Sequence, residues 1–200
     1  MSFWRLLGSS RGLAAGPWEP QRYGLFTVWD NAAALDAFET NSRIMRRYRR
    51  LAEEVWTVRL APVRWHGVWG RTNPFAEALP TAEVDGSPWA ILTRAAIRPR
   101  SVHTFLQASA PVTVQLGRQP GLIASVGLGE VPLLFQATFS LWHDLRSAQA
   151  FAYDHPLHKE VIRRTRSEGW YREDLFARFR PTASYGTWDR LDPLVGLVKE

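Results

Sequence analysis

Apolar residues recur along this chain with two periods. Leu25-Phe26-Thr27-Val28-Trp29, the run from Trp89 to Ile97, the run from Leu122 to Leu128, and Ala137-Thr138-Phe139-Ser140-Leu141-Trp142 have strand length and β-rich composition, and Gly, Pro or charged residues bound them. Between them lie segments with helical spacing: 31–54, 101–115 with Ser101 as N-cap, and 144–166, where Ala148, Phe151, Ala152, Val161 and Ile162 form an apolar face. Pro156 either kinks this last helix or starts a second segment. The apolar stretch from Gly121 to Trp142 is interrupted by Gly127, Gly129, Glu130 and Pro132, so it reads as two strands and a turn, not a membrane span.

The pattern repeats. Gly24-Leu25-Phe26-Thr27-Val28-Trp29 aligns with Ala137-Thr138-Phe139-Ser140-Leu141-Trp142, and Ala37-Phe38 with Ala150-Phe151. Further on, at a larger offset, Arg59-Leu60-Ala61-Pro62 and Gly67-Val68-Trp69 align with Arg178-Phe179-Arg180-Pro181 and Gly186-Thr187-Trp188. Each copy carries a basic helix between these anchors, with Arg46-Arg47-Tyr48-Arg49 in one and Arg163-Arg164-Thr165-Arg166 in the other. The second copy reads β-α-β-β-α-β, the ferredoxin-like order; the first supplies only the latter half, with 3–7 as its one strand ahead of Leu25. The expectation is an α+β fold of duplicated ferredoxin-like units forming an α/β barrel, the first unit incomplete at its N-terminus. The halves are 1–72 and 89–200, the latter expected to bind the cofactor, with 73–88 as linker.

Composition narrows the chemistry. With 46% hydrophobic and 22% charged residues over 200 positions, the chain can bury a core. The absence of cysteine excludes disulfides, thiolate metal sites, Fe–S clusters, cysteine-ligated haem and a catalytic thiol. A net charge of +6 suits nucleic acid, anionic lipid or the carboxylates of a buried cofactor, and does not choose among them. The opening 1–20 carries Arg5 and Arg11 and no sustained apolar run, which reads as a cytoplasmic protein without a targeting segment. Gly127-x-Gly129 lacks the context of a dinucleotide loop, no nucleophile elbow occurs, and no nucleic-acid module is present, so no nucleic-acid partner is expected.

Several blocks taken together resemble the spheroidene monooxygenase family: Trp4-Arg5-Leu6-Leu7-Gly8, the run from Ala90 to Pro99, the run from Gln136 to Trp142, Phe151-Ala152-Tyr153 followed by His158, Val161-Ile162-Arg163-Arg164-Thr165-Arg166, Glu168-Gly169-Trp170-Tyr171 and Leu175-Phe176-Ala177-Arg178-Phe179. The resemblance implies a dimeric α/β-barrel fold, haem b, and oxygen-dependent oxidation of a carotenoid end to a ketone. It makes His158 the favoured axial ligand and hence the metal-binding residue, ahead of His155 and His143, with His66 and His103 also present. Arg163, Arg164 and Arg166 are candidates for the haem propionates, against the plainer reading of a solvated basic face. Trp142, Trp170 and Tyr171 are candidates to line a substrate tunnel, against a role in the core, while Arg98 and His103 are candidate distal catalytic groups. His155 and His158 could together hold a divalent ion, but no third ligand accompanies them. The implied partners are an apolar substrate, O2 and a separate electron donor, a ferredoxin or reductase, since no flavin or nicotinamide motif occurs. A homodimer and peripheral contact at the inner membrane face stay open, and the alternative is a non-catalytic haem- or small-ligand-binding barrel.

Overall fold

The computed structural model describes residues 1–10, 18–83, 86–131 and 133–198. The chain is α+β. Strands β1 (Phe3–Ser10), β2 (Trp18–Val28), β3 (Trp56–Gly67), β4 (Trp89–Ile97), β5 (Leu122–Val131), β6 (Phe135–Trp142) and β7 (Tyr171–Gly186) form one antiparallel sheet in the order β2-β1-β5-β6-β4-β7-β3. The helices are α1 (Ala32–Asn41), α2 (Arg43–Leu51), α3 (Val102–Leu116), α4 (Leu145–Gln149) and α5 (Pro156–Ser167), with a π-turn at Ala150–Asp154. Within 89–186 the order is β-α-β-β-α-β, and its four strands lie as β5-β6-β4-β7.

The sheet curls strongly. In a flat sheet, five steps of about 4.8 Å would hold β2 and β7 roughly 24 Å apart. Instead Phe26 of β2 meets Phe179 of β7 with ring centroids 6.5 Å apart, and stacks on Trp69 at 5.6 Å. The concave face encloses Phe3, Leu7, Ala90, Leu92, Phe139, Leu141, Leu175 and Phe179, and β2 and β3 are its edges. Alternation along β4 sends Ala90 and Leu92 inward and Trp89, Ala95 and Ile97 outward beneath the helices.

At one end of the concave face Arg94, only 4% exposed, is held between Glu173 and Glu130. Glu130 also pairs with Arg5 at 3.0 Å and accepts the Trp69 indole N–H at 2.9 Å. Two partly buried carboxylates thus answer a buried guanidinium, the arrangement that makes such a charge tolerable. Burial acts to raise the Glu173 carboxyl, but the Gly70 and Arg71 N–H groups and Arg94 outweigh it, leaving the group below its ordinary pKa.

The ends of β3 and β7 make matching interactions. Glu173 accepts the N–H groups of Gly70 and Arg71, both at 2.8 Å; Glu54 accepts those of Asp189 and Arg190 at 3.1 and 2.7 Å. Val68 N–H donates to Asp174 O, and Thr187 N–H to Val55 O. Gly67 and Gly186 precede these turns at φ 89° and 77°, and a Cβ there would fall 2.2 Å from Asp174 O and 2.0 Å from Val55 O. Both positions demand glycine for two independent reasons.

Several sequence expectations change in detail. The helix expected over 31–54 is two helices, because the Ser42 hydroxyl accepts the Ile44 N–H and starts α2 where α1 ends. Pro156 begins α5, the second of its two readings. Gly127 and Gly129 lie inside β5, where Gly129 pairs with Gly8 and Gly127 with Ser10, so the turn comes later than they suggest. Ser101 ends a short 3-10 turn before α3 and makes no side-chain cap bond. Phe75, in the expected linker, is 3% exposed in the concave core. Arg11, Pro132 and linker residues 84–85 lie outside the described residues. Among the described residues no helix is long and apolar enough to cross a membrane.

Candidate functional site

On the convex side, α3, α4, the π-turn and α5 stand off from β4, β6 and β7 and leave a cavity of about 180 Å³. The helices are fixed by Phe105, Val112, Leu116, Ala148 and Phe151, which pack on the outward residues of the strands. Of the five histidines only His158 lines the cavity.

Local structure sets the state of His158. Pro156 supplies a preset φ at the start of α5, placing His158 in its first turn, directly after the π-turn. Its ring stacks on Phe151 with centroids 4.9 Å apart, and Nδ1 lies 3.1 Å from Ala152 O. A carbonyl only accepts, so the proton is assigned to Nδ1 and Nε2 keeps its lone pair. Burial pushes the imidazole below its ordinary pKa, against the raising effect of the Ala152 and Phe151 carbonyls. The result is a neutral, oriented imidazole with its Nδ1–H on a carbonyl, the form in which histidine ligates a metal.

Two further polar groups reach the same cavity. Arg178 on β7 is 7% exposed, its Nε has no hydrogen-bond partner, and it forms no ion pair among the described residues. Gln136 donates through Nε2 to Leu133 O at 3.0 Å, while its Oε1 has no partner. A buried guanidinium without counter-charge is costly, and the anionic group of a ligand would offset that cost. Sequence reading missed both residues. A signal for Arg178 was present: alternation in Phe176-Ala177-Arg178 puts an arginine on the strand face that helices must cover.

The other expected residues separate. Trp142 and Tyr171 line the cavity; Trp142 donates its indole N–H to Ser140 Oγ at 2.9 Å, and burial pushes the Tyr171 phenol up to about 12. Trp170 is buried against Phe105 and bonds Glu168, without reaching the cavity. Arg163 pairs with Glu160 and Arg164 with Glu168, at 2.6 and 2.7 Å, so both already have counter-charges on α5. Arg166 is exposed on the same helix, and Arg98, His103 and His143 are exposed and away from the cavity lining. No three His, Asp or Glu side chains converge on a common metal position among the described residues.

The donor set fits a haem: His158 offers an iron ligand and Arg178 a cation for a carboxylate. The space is smaller than the roughly 300–1,000 Å³ typical of ligand pockets. Seating a macrocycle would therefore require the α4–α5 layer to move off the sheet, and the π-turn is the irregular element at that point.

No family model matches the chain. It is 33% identical to the spheroidene monooxygenase of Rhodobacter capsulatus over 100% of this chain and 83% of that protein. It is 32% identical to the Cereibacter sphaeroides protein of the same name and 37% identical to that of Rubrivivax gelatinosus, over 96% and 84% of this chain. It spans only 59% and 63% of the length of those two relatives. A crystal structure of a monooxygenase candidate from Fusobacterium nucleatum subsp. nucleatum matches 94% of this chain and 79% of its own at 12% identity, with a TM-score of 0.48. The match to the Rhodobacter capsulatus protein, over the whole of this chain and 83% of that protein, decides the family: the chain belongs to the spheroidene monooxygenases and is an enzyme of the oxygenase class.

Proposed function

We propose that this protein is a haem-dependent monooxygenase that oxidises an apolar, carotenoid-like substrate to a keto product, with the cofactor between the convex face of β4–β6–β7 and helices α3 and α5. His158 carries the reading, because its hydrogen bond to Ala152 O and its burial leave a neutral Nε2 available at the cavity. When bound, the haem iron supplies oxygen activation. His158 would hold the iron and Arg178 would pair with a propionate, while Trp142 and Tyr171, which line the cavity, would exclude water and present flat apolar surface to the substrate. In this reading electrons come from a ferredoxin or reductase.

The same reading takes the architecture as two ferredoxin-like units. The strand order β5-β6-β4-β7 and the matched turns after β3 and β7 support it. In that scheme β2 and β3 correspond to β6 and β7, both of which pair with β4.

The test is turnover under ¹⁸O2 with haem-loaded protein, a ferredoxin with its reductase, and an acyclic carotenoid in detergent. The expected product is a ketone carrying one ¹⁸O. Reduced haem that consumes no carotenoid under these conditions would contradict the proposal.

A further inference from the structure

Helix α2 reads Arg-Ile-Met-Arg-Arg-Tyr-Arg-Arg-Leu and contains no acidic residue. Arg43, Arg46, Arg47, Arg49 and Arg50 are exposed, and none forms an ion pair among the described residues. Arg43, Arg46, Arg47 and Arg50 fall at i, i+3, i+4 and i+7, a single stripe. Met45, the one buried residue, anchors the opposite face. Ile44 and Leu51, seven residues apart and so on one flank of the stripe, are 51% and 64% exposed.

The corresponding run on α5 is treated differently. There Glu160 and Glu168 neutralise Arg163 and Arg164 within the helix. On α2 the like-charged pairs Arg43/Arg47 and Arg46/Arg50 stand at i,i+4, which destabilises a helix. Intrahelical stability therefore does not explain the stripe, whereas an external anionic surface does.

We propose that α2 docks this protein onto an anionic lipid bilayer, with Arg43, Arg46, Arg47 and Arg50 on the phosphate groups and Ile44 and Leu51 entering the headgroup boundary. Basic charge flanked by exposed aliphatic side chains matches an interfacial helix. The aliphatic flank gives a bilayer an advantage over a nucleic-acid backbone, which offers nothing apolar to it. The choice of a bilayer also rests on the apolar substrate proposed above, which dissolves in lipid.

Flotation of the full chain with vesicles tests this directly. Vesicles of phosphatidylcholine with about a third phosphatidylglycerol should carry the protein upward, and pure phosphatidylcholine should not; added salt should weaken the binding. At ~1 kcal/mol per arginine near the surface, about fivefold, the triple variant Arg43→Gln, Arg47→Gln, Arg50→Gln should bind on the order of a hundredfold more weakly. The α5 variant Arg163→Gln, Arg164→Gln should bind as the parent does. Equal flotation with both vesicle types, no flotation with either, or a triple variant that binds like the parent would overturn the proposal, and retention by duplex DNA without vesicle binding would reassign the stripe to nucleic acid. Flotation requires no turnover, so vesicle binding without carotenoid oxidation would sink the proposed activity and leave the docking intact.

Discussion

The two helical layers on this sheet start from similar strand–helix–strand sequences and end differently. Over β4, β6 and β7, α3 lies beside α5, and together with α4 they bury Phe105, Val112, Leu116, Ala148 and Phe151 and enclose a cavity. In the first half α1 buries no residue and α2 only Met45, while Arg59 ties α1 to β3 through Asp36 and Glu39. The difference lies in α3, which has no counterpart beside α1 and α2 among the described residues. A site on this fold needs two helices braced against each other over the strands. Two short helices in tandem, the first tied down by ion pairs, pack too little to wall off a pocket.

Truncation should expose this contrast most strongly. Trp142→Ala in the covered layer should cost about 3–5 kcal/mol. Phe38→Ala on half-buried α1, where the ring touches Trp29 at 5.0 Å, should cost about 1 kcal/mol. Urea unfolding of both variants measures the difference, and equal losses would mean that α1 and α2 are packed as tightly as α3 and α5.

A smaller effect concerns the unpaired guanidinium of the cavity. Arg178→Met should leave the fold intact and weaken haem binding by about 10- to 100-fold, the loss of one charge-assisted contact of about 1.5–3 kcal/mol. Arg163→Met, whose parent residue already pairs with Glu160, should change affinity by less than about threefold. Fluorescence quenching on haem addition reads both, and the reverse ranking would return the propionates to α5.

Acid provides the smallest effect, of opposite origin at its two ends. His158 has its folded pKa depressed below the unfolded 6.5, so the unfolded chain takes up more protons and stability should fall as pH drops from 6.5 through the folded value. His158→Gln should flatten that arm. Glu173 is likewise depressed from 4.5, so its contribution persists above that value and is lost at lower pH, in parent and variant alike.

Much of the framework was legible from residue order. The strand Trp89–Ile97 appears with its expected bounds, and the pairing of Gly67-Val68-Trp69 with Gly186-Thr187-Trp188 points to the turns that make matching hydrogen bonds. What sequence could not show was set by tertiary contact. Phe75 looks like linker until the concave core surrounds it, and Ser42 divides a helix through one hydroxyl bond. Arg163 and Arg178 are both arginines in family-like blocks; Glu160, three residues ahead of Arg163, marks its partner in the sequence, whereas only the fold shows that Arg178 is buried with no carboxylate beside it among the described residues. His158 was readable as a candidate from the resemblance; its proton position and burial came from the π-turn, which no local sequence rule announced.

The central claim is that His158 holds a haem iron. Absorption titration of the purified chain with haem, followed in parallel in His158→Ala and His155→Ala, tests it most directly. A saturable Soret band in the parent and in His155→Ala, absent from a folded His158→Ala, is the expected result; a His158→Ala spectrum indistinguishable from the parent's would contradict the account.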